Sequence, residues 1–340
     1  MSIRVALDAL VNERRDLTEA EAAATMREIL TGEATPAQLG AFLIALRLKG
    51  ETVDEITGMA SVMRQHALRV EVEGPLLDTC GTGGDERGTF NVSTAAALVA
   101  AGAGVRIAKH GNRAMTSGCG SADVLEALGA RIDLTPEQVA ECIRRTGFGF
   151  MFAQAFHPAM KHAAGPRREI GVRTVFNILG PLTNPAGAKH QLLGVARPDI
   201  APKIAAALQR LDGSHSLVVH GNDGVDELSI SGPSSVHDIR NGGIREYTVS
   251  PEDAGLPTAP AEGIRGGTPD ENAAILRKVF RGVHGPTRDV VVFNTAAALV
   301  AADVAKDLGT GARLAADVID SGVAAKKLED WVETTQSFDK

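Results

Sequence analysis

Aromatic side chains are scarce in this chain: 4% of 340 residues, with one Trp and one Tyr. A protein that grips bases or sugars on stacked rings needs more of them. There is no basic excess either. Thirty-five Lys and Arg against 42 Asp and Glu leave a formal charge of −7, which speaks against a nucleic-acid or anionic-membrane surface. Residues 95–105 form the longest apolar run, 11 positions broken by Gly102 and Gly104, too short to span a bilayer. The N-terminus shows no basic stretch leading into an apolar one, so secretion is not expected. Cys80, Cys119 and Cys142 are the only cysteines; they make no CxxC pair and no even disulfide framework. These absences point to a disulfide-free, cytoplasmic protein.

The composition otherwise suits a soluble globular chain, with 44% hydrophobic residues and length enough for an extended core. Glycine is high, 37 residues against a usual ~7%, and it gathers in short loops. The first seventy residues read as helices only. Thr18-x-x-Glu21, Thr35-x-x-Gln38 and Thr52-x-x-Glu55 are capping-box starts, and Pro36 suits a first helical position. Leu39, Phe42, Leu43 and Leu46 recur at helical spacing, giving an apolar stripe that must pack on something.

After Gly74-Pro75 the pattern turns to α/β. Short β-rich runs at 76–79, 105–108, 148–152, 191–196, 216–220 and 289–293 alternate with Ala-rich helical ones. That alternation predicts a largely parallel sheet with ligands at the carboxyl ends of its strands. A hairpin is expected over 235–239 and 244–249, turned by Asn241-Gly242-Gly243. Residues 158–185 read helical again and are expected to rejoin the N-terminal helices. The octapeptide TAAALVAA occurs at 94–101 and at 295–302, each time just after Phe-Asn. No fixed period accompanies it, so two Ala-rich helices packed on a sheet are expected rather than a repeat protein.

Four segments carry chemistry. Asp78-Thr79-Cys80-Gly81-Thr82-Gly83-Gly84-Asp85 follows a predicted strand. Glycines there let the backbone turn tightly and aim several N–H groups at an anion. The segment fits neither the Walker nor the GxGxxG pattern, and a lone glycine cluster is by default a structural turn. Here, however, Thr89, Asn91, Ser93 and Thr94 follow at a helix start, more polar groups than a cap requires. The second segment, residues 109–121, collects Lys109, Asn112, Arg113, Thr116, Ser117, Ser121 and three glycines on one predicted loop, a density that suits a polyanion better than a plain solvated loop. The third, Asp223-Gly224-Val225-Asp226-Glu227, offers adjacent carboxylates suited to Mg²⁺ beside a diphosphate. The fourth holds His157, His162, Arg167 and Arg168; an arginine there could take a carboxylate-bearing substrate, while the histidines lack metal-ligand spacing. No Ser-His-Asp order, nucleophile elbow or HExxH is present, which favours chemistry by positioning and electrostatics.

At these residues the chain resembles the anthranilate phosphoribosyltransferase family. The matching motifs are GTGGD at 81–85, NVST at 91–94, KHGNRA at 109–114, GSADVLEALG at 120–129, HPAMKHA at 157–163, GVRTVFNILGPLTNP at 171–185 and DGVDE at 223–227. The resemblance implies a nucleoside-phosphorylase-type fold, with a small all-helical domain and a larger α/β domain around a mostly parallel sheet. The helical domain is placed at 1–73, joined by helices from about 158–188; the α/β domain is placed at 74–157 and 189–340. The implied reaction moves the 5-phosphoribosyl group of phosphoribosyl diphosphate to the amine of anthranilate, in tryptophan biosynthesis, with up to two Mg²⁺ ions.

Carried over position by position, the resemblance assigns Gly81, Gly84, Asp85, Thr89, Asn91, Val92, Ser93 and Thr94 to phosphoribosyl diphosphate. It adds Lys109, His110, Gly111, Asn112, Arg113, Ala114, Met115, Thr116, Ser117 and Ser121 to that substrate. Gly81, Asn112 and Arg167 match the anthranilate side, and Ser93, Asp226 and Glu227 the magnesium positions. A homodimer through the helical domain is implied. Neither a covalent nucleophile nor a general base is assigned. Two other readings are a non-catalytic nucleic-acid-binding relative and a pyrimidine-nucleoside phosphorylase; the charge, the intact motifs and the KHGNRA loop argue against them.

Overall fold

The computed structural model describes residues 2–84, 87–114 and 118–338. Four helices open the chain: α1 (Ile3–Val11), α2 (Glu19–Thr31), α3 (Pro36–Lys49) and α4 (Val53–His66). All three capping boxes form. The amides of Glu21, Gln38 and Glu55 donate to the hydroxyls of Thr18, Thr35 and Thr52, and each acidic or amide side chain accepts the return bond. Glu55 does more: fully buried, it also accepts from the Leu17 amide at 2.9 Å and from Lys49 Nζ at 3.0 Å, joining the starts of α2 and α4. These helices cross closely because Gly58 has no Cβ, which would overlap the Glu19 carbonyl.

The α/β part runs β1 (Leu77–Gly81), α5 (Val92–Gly102), β2 (Ile107–Gly111), α6 (Ser121–Ala127), α7 (Pro136–Thr146) and β3 (Phe148–Phe152). The chain then leaves the sheet through α8 (Ala153–Phe156), α9 (Lys161–Ile170) and α10 (Phe176–Leu179). Ala163, Val175, Phe176, Leu179 and Leu182 enter one apolar cluster with Met26, Phe42 and Met59 of the N-terminal helices. The sheet resumes with β4 (His190–Gly194), α11 (Ala201–Arg210), β5 (His215–Gly221) and the hairpin β6 (Ser234–Arg240) and β7 (Gly243–Val249). Four helices close the chain: α12 (Pro269–Phe280), α13 (Pro286–Ala301), α14 (Leu308–Asp320) and α15 (Val323–Gln336).

Among the described residues the sheet has seven strands in the order β3-β2-β1-β4-β5-β6-β7. Strands β1 to β5 are parallel, and β6 and β7 run antiparallel at one edge. One sheet face carries α5, α13 and α15 in the larger core; the other packs on α11 and the helical layer, with Cys80, Leu193 and Val218 facing it. The first three strands step away from β1 in one direction, and β4 returns on its other side. That reversal between β1 and β4 opens a crevice at their carboxyl ends. None of the helices is long and apolar enough to cross a membrane, among the described residues.

Two expectations are corrected. Residues 289–293 are not a strand but the first half of α13. Pro286 stands at the first helical positions and the Val290–Val292 run is buried; a run buried on all sides shows no period that separates strand from helix. Strands β1 and β2 also extend two or three residues beyond 79 and 108. Lys109, His110 and Gly111 therefore lie on β2, with the loop starting only at Asn112.

Candidate active site

The crevice is built from the carboxyl ends of β1, β2, β4 and β5. Beyond β5, Asp226 reaches across the sheet: its carboxylate accepts from the Gly83 amide at 2.7 Å, and its carbonyl packs on Gly194 at the end of β4. A Cβ on either Gly81 or Gly194 would overlap Asp226, so these two glycines make its seat. Glu227 Oε1 accepts from the Ser93 amide at 3.1 Å. Ser93 is the second residue of α5, so the helix start is capped from 134 positions away, while the Asn91 side chain makes no cap bond. Instead Asn91 donates to the Cys119 carbonyl at 3.1 Å and accepts from Asn272 Nδ2 at 3.0 Å, tying the loop after β2 to α5. The Asp226–Glu227 turn is itself held: Asn294 of α13 bonds both the amide (2.9 Å) and the carbonyl (3.0 Å) of Leu228. Asp223 accepts from Ser229 and Ser231 at 2.7 and 2.6 Å.

Lys109 lies under this floor, 1% exposed. Its ammonium donates to the Thr79 carbonyl and to Ser93 Oγ at 3.3 Å. Burial pulls its pKa below the usual lysine range, with Asp78 the main opposing charge and Glu227 and Asp226 adding to it. Asp78, fully buried, is pushed up by burial and held back by Lys109, by Asn184 at 2.8 Å and by the His110 amide at 3.1 Å. The lysine expected on a polyanion-binding loop thus lies on β2 and reaches the crevice through a serine hydroxyl. The His110 and His157 rings meet at a tilt of 54°, with centroids 5.0 Å apart. Burial pulls them down to about 3 and about 4, so both are neutral at pH 7.

The rest of the second segment folds back on α6. Arg113 pairs with Asp123 at 3.1 Å and with Glu126, over the Phe152 ring. The Asn112 carbonyl accepts from Ser121 Oγ at 3.3 Å and from the Ala122 amide at 3.2 Å, and Ala114 donates to Asp123 at 2.9 Å. Gly111 makes room for Ser121 Oγ. Thr89 bridges to Arg265; Val92 and Thr94 are buried, the Thr94 hydroxyl without a partner among the described residues. Asp85, Met115, Thr116 and Ser117 lie outside the described residues. Arg167 stands apart on α9, half-buried, 4.9 Å over the Phe176 ring. Burial lowers its pKa, and no acidic residue among those described pairs with it, which leaves the guanidinium fork for an outside carboxylate.

The structure therefore brings together Gly81, Ser93, Lys109, Asp226 and Glu227, and separately Gly111, Asn112 and Ser121. Sequence reasoning missed Asn184, Asn272, Asn294 and Arg173, whose guanidinium bonds the Thr82 and Gly83 carbonyls. Arg173 lies inside the GVRTVFNILGPLTNP motif, but no local pattern says what it touches. Among the described residues no three His, Cys, Asp or Glu side chains converge as a metal cage. Two adjacent carboxylates and a hydroxyl do fit Mg²⁺, which takes few protein ligands and leaves the rest to water and phosphate. A cavity of about 1090 Å³ opens at the opposite, amino-terminal edge of the sheet, lined by Arg64, Arg106 and Lys189 among others; Ser93, Lys109, Asp226 and Glu227 do not line it.

A floor of backbone amides, a buried lysine and paired carboxylates at an α/β switch point, under a helical layer, defines a phosphate-handling transferase. Two family patterns agree: "Glycosyl transferase family, helical bundle domain" matches residues 4–67 and "Glycosyl transferase family, a/b domain" matches 73–325. An anthranilate phosphoribosyltransferase of Chloroflexus aurantiacus is 59% identical over 338 residues, 99% of either chain. One from Symbiobacterium thermophilum is 59% identical over 326 residues, 96% of either chain. The crystal structure of the Thermus thermophilus enzyme of that name superposes with a TM-score of 0.92 at 47% identity, covering 98% of this chain and 99% of that one. The Saccharomyces cerevisiae enzyme, solved in complex with PRPP and Mg, also reaches 0.92 at 29% identity, covering 99% and 98%. The chain belongs to the anthranilate phosphoribosyltransferase family.

Proposed function

We propose that this chain transfers the 5-phosphoribosyl group of phosphoribosyl diphosphate to the amine of anthranilate, giving N-(5-phosphoribosyl)anthranilate and diphosphate for tryptophan biosynthesis, with Mg²⁺. The observation that carries this reading is the meeting of the Gly83 and Ser93 amides with Asp226 and Glu227 at the β1/β4 switch point. Sequence identity of 59% across nearly the whole chain favours neither the nucleic-acid-binding nor the nucleoside-phosphorylase alternative.

The glycine loop after β1 and the start of α5 present amides and a positive dipole end to diphosphate oxygens. Lys109 donates to Ser93 Oγ, which leaves the hydroxyl proton free to point into the crevice. Ser93, Asp226 and Glu227 would hold Mg²⁺; when bound, the ion supplies the positive charge that lets a departing diphosphate lie beside two carboxylates. Arg167 orients the anthranilate carboxylate, with Asn112 and Gly81 on the acceptor side. The neutral arylamine attacks the anomeric carbon as the C–O bond to diphosphate breaks, the bonding pair leaves on diphosphate, and the nitrogen then loses its proton. No covalent enzyme intermediate is needed. The residue assignments from Gly81 to Ser121 made above belong to this proposal.

The helical layer, residues 1–73 with about 158–188, is proposed as a domain that joins two copies. An apolar groove on it is lined by Leu10, Val11, Ile44, Leu48 and Ile170, with Leu48 82% exposed; a contiguous exposed apolar patch of this kind suits a protein–protein contact. A cytoplasmic site of action is proposed with it. Loss of anthranilate fluorescence that requires phosphoribosyl diphosphate and Mg²⁺, and stops with EDTA, tests the reaction. A folded protein that leaves the fluorescence unchanged would overturn it. Light scattering of wild type and Leu48→Glu tests the dimer.

A further inference from the structure

Arg173 meets the glycine loop through its carbonyls. It stands two residues beyond Gly171, whose left-handed conformation (φ +67°) ends α9. The chain that carries Arg167 on a helix therefore turns at once toward β1. Arg173 Nη2 donates to the Thr82 carbonyl at 3.1 Å and to the Gly83 carbonyl at 2.5 Å. Its guanidinium occupies the space that a side chain on Gly84 would need. Gly83 and Gly84 both have positive φ, +65° and +71°, a conformation that glycine adopts freely and other residues do not.

The turn is thus committed on both sides. Its carbonyls face a cation, and the Gly83 amide faces the Asp226 carboxylate. Rotation of either peptide plane would turn a carbonyl oxygen toward Asp226 and toward any diphosphate in the crevice, and partial negative charge there opposes binding. Two successive glycines have little stiffness of their own to prevent that rotation. Both of the described side-chain hydrogen bonds of Arg173 go to this turn.

We infer that Arg173 is a positioning residue for the phosphoribosyl diphosphate: its guanidinium holds the Thr82 and Gly83 carbonyls to itself, so that the Gly83 amide stays on Asp226 and no carbonyl oxygen of the turn faces the diphosphate. The inference rests on the proposed reading of this loop as the diphosphate site. It also ties the loop to the segment leaving α9, so the donor loop and the Arg167 helix are fixed by one short stretch of chain.

The experiment compares wild type, Arg173→Ala and Arg173→Lys by steady-state kinetics in both substrates and by calorimetric titration with phosphoribosyl diphosphate and Mg²⁺. Arg173→Ala is expected to raise KM and Kd for phosphoribosyl diphosphate about 10- to 100-fold, the scale of two charge-assisted hydrogen bonds. KM for anthranilate should stay within about twofold. Arg173→Lys should recover only part of the loss, because an ammonium lacks the planar fork. Added guanidinium ion at low millimolar concentration should restore Arg173→Ala and leave wild type unchanged. Donor affinity unchanged in Arg173→Ala, full recovery in Arg173→Lys, or no guanidinium rescue of a folded Arg173→Ala each overturns the inference. Should Arg173→Ala fail to fold, Arg173→Lys and Arg173→Gln carry the same comparison, with the same partial and larger losses expected. A wild type that neither binds nor consumes phosphoribosyl diphosphate would instead remove the functional reading beneath it.

Discussion

Residues 94–101 and 295–302 are the same eight amino acids, TAAALVAA, each following an asparagine closely, and the two copies do different work. In α5 the copy begins at the third helical residue, so the helix start opens into the crevice and its Ser93 amide meets Glu227. In α13 the copy begins nine residues further in than Pro286 and forms the C-terminal end of the helix, so no helix start opens beside it. The asparagines diverge in the same way. Asn91, outside its helix, ties the loop after β2 through Cys119; Asn294, inside its helix, clamps Leu228 beside the carboxylates. The residues just past the two copies differ too. Gly102 lets α5 approach Val318 and Val323, whereas Asp303, in a left-handed conformation, accepts from His215 and Arg240. Identical local sequence yields helix in both places, and the flanking residues decide where the helix begins and hence whether its end can bind anything.

The comparison breaks most sharply at the carboxylates that serve the first copy. Asp226→Asn and Glu227→Gln should each lower kcat/KM on the order of 100-fold, with the largest deficit at limiting Mg²⁺ and with little change in Tm. Turnover unchanged at limiting Mg²⁺ would remove the metal assignment. The second copy should answer with stability instead. Asn294→Ala strips partners from the buried amide and carbonyl of Leu228 and should cost about 2–4 kcal/mol, read as a lower denaturation midpoint. Asn91→Ala should cost less stability than that and more donor affinity; equal losses in both readouts for the two variants would erase the distinction.

Arg167→Ala, on the segment that shares neither copy, should raise KM for anthranilate about tenfold; an effect confined to the diphosphate substrate contradicts its role. The smallest effect is expected at the far end of α13. His215 is pulled down by burial, but hydrogen bonds and charge from Asp238 and Asp303 outweigh that and raise its pKa above the usual histidine value. A raised folded-state pKa stabilises the protonated form, so this contribution is present below about pH 6.5 and fades as pH rises through the folded value. Tm profiles of wild type and His215→Gln should therefore differ most below about pH 6.5 and converge as pH rises through the folded value. A gap that widens with pH contradicts that sign. Asp238 and Asp303 with Arg240 are the charged groups facing this ring.

Local features were legible beforehand. The three N-terminal capping boxes formed because each joins residues three apart on one helical turn. The hairpin turn at Asn241-Gly242 and the glycine loop after β1 were readable for the same reason. Strand ends were not, since β1 and β2 stop where their neighbours stop pairing. Lys109 illustrates the consequence: a lysine near glycines and hydroxyls reads as part of a loop facing a polyanion, yet the partners that bury it, Thr79, Ser93 and Asp78, come from another strand and a helix. Residues 289–293 failed differently, because a valine run buried on all sides has no period.

The motifs by themselves determined the α/β class with an added helical layer, the family likeness, and which residue types could meet a diphosphate, a divalent ion and a carboxylate. Only the tertiary structure decided which groups face one another. The Gly83 amide and Asp226 are 143 positions apart, and Asn294 and Leu228 are 66 apart. Side chains such as Asn91 and Arg173 have several partners equally open to them in sequence. A hydrogen bond acts over about 3 Å, so its partner is chosen by the packing that brings distant segments together, and that packing depends on the whole chain at once.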